Sequence, residues 1–256
     1  MVTRSFIDVD RGPIEYELTD GDPRRPVLVF LHEGLGSIDL WRGLPGEIAA
    51  AAGQPRTMTY ARHGHGRSAP ARMPRPVDYM HHEADVVLPA LLGGLGVERP
   101  VLIGHSDGAS IALLHVGRGA ESAGLVCLAP HVFVEDESIA GIAAARELYE
   151  TTDMSTRLGR YHSDPDATFR GWNDVWLSEE FRSWNIEDRL PGVEVPTLLV
   201  QGTADQYGTL AQLDAIEAGV RGPVERRVVD GAGHSPHLDA RDQVVAAVAE
   251  FVTSAS

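Results

Sequence analysis

Three side chains in this sequence have the types and surroundings for nucleophilic catalysis. Ser106 sits at the centre of Gly104-His105-Ser106-Asp107-Gly108, after the apolar run Val101-Leu102-Ile103 and before Ile111-Ala112-Leu113-Leu114. A strand, a sharp turn and a helix in that order form a nucleophile elbow, which lifts the serine hydroxyl above the strand's end. Gly104 and Gly108 fit this reading, because a side chain at either would collide where the helix folds back on the strand. The helix that follows aims its N-terminal N–H groups and its dipole at any anion forming there. A serine hydroxyl is a poor nucleophile until a base takes its proton, and that base needs an orienting carboxylate. Asp205 follows the apolar run Thr197-Leu198-Leu199-Val200, and His234 ends the glycine-rich loop after Val229. The chain order is Ser, Asp, His, each beyond a strand end. His237 is the competing base, and Glu135 and Asp136 are the competing acids.

These residues need a sheet to hold them. Short strand-like pieces over Phe6–Val9 and Ile14–Leu18 are joined by Asp10-Arg11-Gly12-Pro13, a hairpin signal. Val27–Leu31 is a continuous apolar run, as expected of a strand buried on both faces. Thr57–Tyr60, Val101–Ile103, Leu125–Ala129, Thr197–Val200 and Val224–Val229 read as further strands. Between them the pattern predicts helices over Trp41–Ala52, Asp78–Leu92, the stretch after the elbow to Val116, Thr209–Gly219 and Asp239–Val252. In the second of these, Val86, Val87, Ala90 and Leu91 are expected on one face, with a kink at Pro89. Alternating strands and helices imply a mostly parallel sheet covered on both faces. Residues 130–196 break the alternation and hold three of the four Trp, three of the six Phe and two of the six Tyr. They read as a helical cap inserted into a core made of residues 1–129 and 197–256, with Trp172 and Trp176 as candidate substrate walls.

Composition narrows the chemistry. The formal charge of −15 opposes nucleic acid or an anionic membrane as partner. All 22 basic residues are Arg, so a lysine Schiff base, a Ser–Lys dyad and a P-loop lysine are excluded. The single cysteine, Cys127, lies in an apolar strand and reads as a buried filler. No apolar run approaches the ~20 residues of a membrane span, and Met1-Val2-Thr3-Arg4-Ser5-Phe6 lacks a signal core, which points to the cytoplasm. His63, His65, His81 and His82 could suggest a metal site, but the chemistry above needs none.

At this point the sequence resembles the α/β-hydrolase family along essentially its whole length. The pieces that carry the resemblance are Gly104-His105-Ser106-Asp107-Gly108, Gly202-Thr203-Ala204-Asp205, Gly233-His234, the His32–Ser37 loop and Gly64-His65-Gly66-Arg67-Ser68. The resemblance implies an α/β fold with a mostly parallel eight-stranded sheet flanked by helices, a cap after the sixth strand, a Ser106–His234–Asp205 triad and no cofactor. It also implies an oxyanion hole from the N–H of Asp107 and one from the His32–Ser37 loop, with Gly34 the first candidate and Leu35 the other. Two departures stand out. Where the family commonly has His-Gly, this chain has His32-Glu33. A carboxylate there opposes an oxyanion, so Glu33 should point away or be bound by a partner. Asp107 is a second acid directly after the nucleophile. Its carboxylate either recognises a cationic substrate group, as in the valacyclovir-hydrolase-like branch that Ser-Asp-Gly resembles, or caps its helix or bonds a neighbouring loop.

The expected reaction is acyl transfer to water from a small ester, thioester or lactone. Glu33, Trp41, Asp107, His131, Trp172, Trp176 and Tyr207 are the candidate substrate contacts. Carbon–carbon hydrolases of ring-cleavage products share the triad and cap and form the enzymatic alternative; a small-molecule receptor on the same fold is the non-enzymatic one. Haloalkane dehalogenases and epoxide hydrolases use an aspartate nucleophile where this chain has Ser106.

Overall fold

The computed structural model describes residues 3–254; Met1 and Val2, the start of the stretch read for a signal core, lie outside the described residues. Eight strands make one sheet: β1 (Thr3–Val9), β2 (Gly12–Leu18), β3 (Leu28–Leu31), β4 (Thr57–Tyr60), β5 (Val101–His105), β6 (Gly124–Leu128), β7 (Thr197–Gly202) and β8 (Val224–Val229). The strand order is β1-β2-β4-β3-β5-β6-β7-β8. The pairs β1–β2 and β2–β4 are antiparallel and the rest are parallel. The first hairpin closes more tightly than the sequence suggests. Val9 pairs with Gly12, so only Asp10 and Arg11 form the turn, and Pro13 already belongs to β2 opposite Asp8.

Side chains alternate across the sheet, as the pleat dictates. Leu28, Phe30, Val101, Ile103, Val126, Leu128, Leu198 and Val200 share one core with α1 (Leu44–Ala51) and the last helix. Val29, Leu31, Leu102, Leu125, Cys127 and Leu199 face the other core. That second face is covered by the helical segment running from α2 (Tyr79–His82) through a π turn (Glu83–Val87) into α3 (Leu88–Gly94), and by α4 (Asp107–Gly117). Between β6 and β7 come α5 (Asp136–Thr151), α6 (Met154–Leu158) and α7 (Pro165–Trp176), followed by two 3-10 turns. Then follow α8 (Ala211–Gly219), α9 (Pro236–Asp239) and α10 (Arg241–Ser254). Cys127 is fully buried, and burial pushes its thiol up to about 12, in keeping with a filler.

Three helices depart from expectation. The one predicted from Trp41 begins at Leu44, because Arg42 and Gly43 adopt left-handed conformations that end a short 3-10 turn. The one predicted from Asp239 is broken at Ala240, whose extended φ of −134° separates α9 from α10. In the α2–α3 segment, Val87 and Leu91 are buried with Ala84 and Leu88, whereas Val86 and Ala90 face outward. Pro89 has no N–H to give the Asp85 carbonyl. The preceding turn widens to π, and that carbonyl accepts instead from Arg118 Nη1 at 3.1 Å.

Candidate active site

The three strand-end residues converge. Ser106 follows β5 and starts α4 with φ 53° and ψ −119°, a conformation an L-residue adopts only under strain. Backbone crowding explains its flanking glycines. A methyl at Gly104 would stand 2.4 Å from the Ala109 nitrogen, as anticipated, while one at Gly108 would stand 2.0 Å from the Leu31 carbonyl on neighbouring β3. Ser106 Oγ lies 2.9 Å from His234 Nε2, and His234 Nδ1 lies 2.9 Å from both carboxylate oxygens of Asp205. Burial works against the Asp205 charge. Hydrogen bonds from His234 and the Tyr207 N–H outweigh it and hold the carboxyl below its usual value. Nδ1–H therefore donates to Asp205, and Nε2 faces the hydroxyl as an acceptor. A serine so placed can lose its proton to His234 as it attacks a carbonyl.

The competitors sit elsewhere. Glu135 accepts from the Thr209 N–H and Oγ1 and from Gln212 Nε2 near the start of α8. Asp136 is exposed at the start of α5. His237 packs against Trp41 and His105 in a smaller neighbouring cavity of about 70 Å³. The His105 ring packs against His234 and His237, and its Nε2–H donates to the His234 carbonyl at 2.7 Å. Burial holds His105 neutral, so its single ring N–H sits on Nε2, where the carbonyl accepts it.

Above Ser106 opens a cavity of about 390 Å³, within the range of small-molecule sites. Glu33, Gly34, Leu35, His131, Trp172, Trp176 and Tyr207, all named from the sequence as candidate oxyanion donors or substrate contacts, line it. Ile142, Gln206, Ser235 and Asp239 line it too and were not singled out. Two candidates do not belong to it. Trp41 is buried against Phe30 and His237 and lines the smaller cavity. The Asp107 carboxylate is fully buried, accepts from the Tyr79 hydroxyl at 2.6 Å and lies 3.6 Å from Arg62. The carboxylate neither caps α4 nor enters the cavity; it bonds its neighbours instead, and Arg62 in the loop after β4 is the neighbouring-loop partner of the remaining expectation. The Asp107 backbone remains at the first position of α4, where N–H groups have no partner within the helix.

The turn carrying Gly34 is gripped by side chains that were assigned no such role from the sequence. Arg62, 1% exposed, donates to the carbonyls of His32 (2.8 Å) and Glu33 (3.0 Å). His65 Nε2 lies 3.0 Å from the Gly34 carbonyl. His162 accepts the Gly66 N–H at Nδ1, so its Nε2–H donates to the Leu35 carbonyl at 2.9 Å. Four successive carbonyls are thus held. In a trans peptide the N–H points opposite to the C=O, so the Gly34 N–H faces away from Arg62. The Leu35 N–H is taken by the Glu33 carboxylate, which is how this chain satisfies that acid. Burial pushes the Glu33 carboxyl up. Among the described residues no cluster of three or more His, Cys, Asp or Glu is placed to hold a metal, and no helix is long and apolar enough to cross a membrane.

Known proteins share this architecture. The chain is 25% identical to epoxide hydrolase A of Mycobacterium tuberculosis over 96% of both chains. Its fold is similar to that of an enol-lactonase from Burkholderia xenovorans LB400 (TM-score 0.74, 19% identity, 97% of this chain and 100% of that one). It is equally similar to an esterase from Exiguobacterium antarcticum (TM-score 0.76, 18% identity, 98% and 99%). The model of the alpha/beta hydrolase family matches residues 28–247, and with the eight-stranded sheet and the elbow at Ser106 this places the chain in that family.

Proposed function

We propose that this protein is a serine hydrolase that cleaves a small carboxylic ester, thioester or lactone through an acyl-enzyme on Ser106. The observation that carries this reading is the 2.9 Å contact between Ser106 Oγ and His234 Nε2, backed by Asp205, at the floor of an open cavity. In this mechanism His234 takes the serine proton, and the N–H groups of Gly34 and Asp107 hold the oxyanion, each worth roughly 3–4 kcal/mol. His234 then protonates the leaving group and activates water to release the acid. Residues 130–196 act as a cap whose Trp172 and Trp176 shelter the apolar part of the substrate. Similarity to an epoxide hydrolase does not extend to its chemistry in this account. A serine alkoxide that opened an epoxide would leave an ether, which has no carbonyl for water to attack, whereas an acyl-serine has one.

The test is hydrolysis of p-nitrophenyl esters of rising acyl length by wild type and Ser106→Ala. Turnover in wild type that disappears in the variant is expected. Equal inertness of both would contradict the reading and direct attention to carbon–carbon cleavage or ligand sensing.

A further inference from the structure

The chamber above Ser106 has a one-sided electrostatic lining. Two carboxylates, Glu33 and Asp239, border it and no arginine does. Its buried histidines supply no standing positive charge, since burial takes His131 down to about 3 and holds His105 well below its ordinary value. Three aromatic side chains, Trp172, Trp176 and Tyr207, make up much of the remaining wall. The faces of such rings attract cations through their quadrupoles. Glu33 reaches the same space: it spends one oxygen on the Leu35 N–H and lines the chamber together with Tyr207. An anionic substrate would meet both carboxylates with no arginine lining the chamber.

We propose that this chamber selects esters whose acyl chain carries an alkylammonium or quaternary ammonium group, held between the Glu33 carboxylate and the aromatic walls. The charge belongs on the acyl side because Glu33 immediately precedes Gly34, the proposed donor to the acyl oxygen. Asp107, the acid the sequence offered for such a role, is sealed beneath Tyr79 and Arg62. The inference rests on this cavity being the catalytic chamber.

The experiment compares p-nitrophenyl 4-(trimethylammonio)butyrate with its uncharged isostere, p-nitrophenyl 5,5-dimethylhexanoate, each corrected for its spontaneous hydrolysis. Wild-type kcat/KM should favour the cationic ester by about tenfold or more, and Glu33→Gln should shrink that ratio towards one. Equal or poorer use of the cationic ester, with the isostere still cleaved by wild type and not by Ser106→Ala, overturns the inference and leaves the esterase reading standing. If neither ester is cleaved, the esterase reading fails on its own. Calorimetry of the two matching methyl esters on Ser106→Ala then decides the inference: tighter cation binding supports it and equal binding overturns it. The wild-type comparison does not depend on any variant folding.

Discussion

The Trp172 indole lies directly on Gly34, so close that a methyl group at Gly34 would stand 2.3 Å from its Cδ1 and Nε1. A residue from α7, remote in sequence, therefore roofs the turn that carries the proposed oxyanion donor. Absence of a side chain at Gly34 is what lets the indole reach it. Gly34→Ala must displace either the turn or the indole. Since a misplacement of about 1 Å in a catalytic group costs on the order of 100-fold, kcat/KM is expected to fall by about that factor. Trp172→Leu in the same chain should recover part of the loss by making room. Full activity in Gly34→Ala alone would contradict the contact.

His105 tests whether the loop bearing the base needs its own anchor. Its Nε2–H is the donor to the His234 carbonyl, and both groups lie against the cavity floor. His105→Phe keeps the ring but leaves that carbonyl without this donor, a loss of roughly 1–3 kcal/mol. The expected outcome is kcat lower by about tenfold with KM little changed, and a lower Tm. His105→Gln, which retains a donor, should recover part of kcat. An unchanged kcat in His105→Phe would remove the anchoring role.

The buried histidines make the fold sensitive to acid. His32, His65, His105, His131 and His237 all have protonation suppressed mainly by burial, His131 down to about 3 and His237 to about 4, from an ordinary 6.5. Below pH 6.5 the unfolded chain takes up protons that the folded chain refuses, so stability falls as pH falls from 6.5 towards those lowered values. Each histidine costs roughly 1 kcal/mol between pH 6.5 and 5.5, and together they approach the stability of a typical domain. Tm followed by circular dichroism should drop steeply over that interval. A flat Tm from pH 7 down to 5 would contradict the assignment of these rings as neutral.

Much of this arrangement was legible in the sequence, and the reason is physical. Ser106 and Asp205 follow short apolar strands and His234 follows the edge strand Val224–Val229, so the parallel sheet that the pattern predicts brings their positions to one edge. The strand core of Val101–Ile103 and the limits of Thr57–Tyr60 agree because β-branched, aromatic and apolar side chains suit a buried pleated strand. What the pattern could not reveal depends on distant partners. The direction of the Asp107 carboxylate is set by Tyr79 and Arg62, and the place of Trp41 by Phe30 and His237. Arg62, His65 and His162 act on backbone carbonyls, which exist at every residue and leave no motif. One signal was available: an arginine two residues past the buried strand β4 cannot stay inside without acceptors, and the His32–Glu33 carbonyls supply them.

The most direct test of the account is covalent. Wild-type protein is mixed with p-nitrophenyl acetate, quenched in acid within the turnover time, and digested for mass spectrometry. An acetyl group on the peptide containing Ser106 is predicted, absent in Ser106→Ala and strongly reduced in His234→Ala. Release of p-nitrophenol with no acyl group on Ser106, or labelling that survives Ser106→Ala, would contradict an acyl-enzyme at this serine.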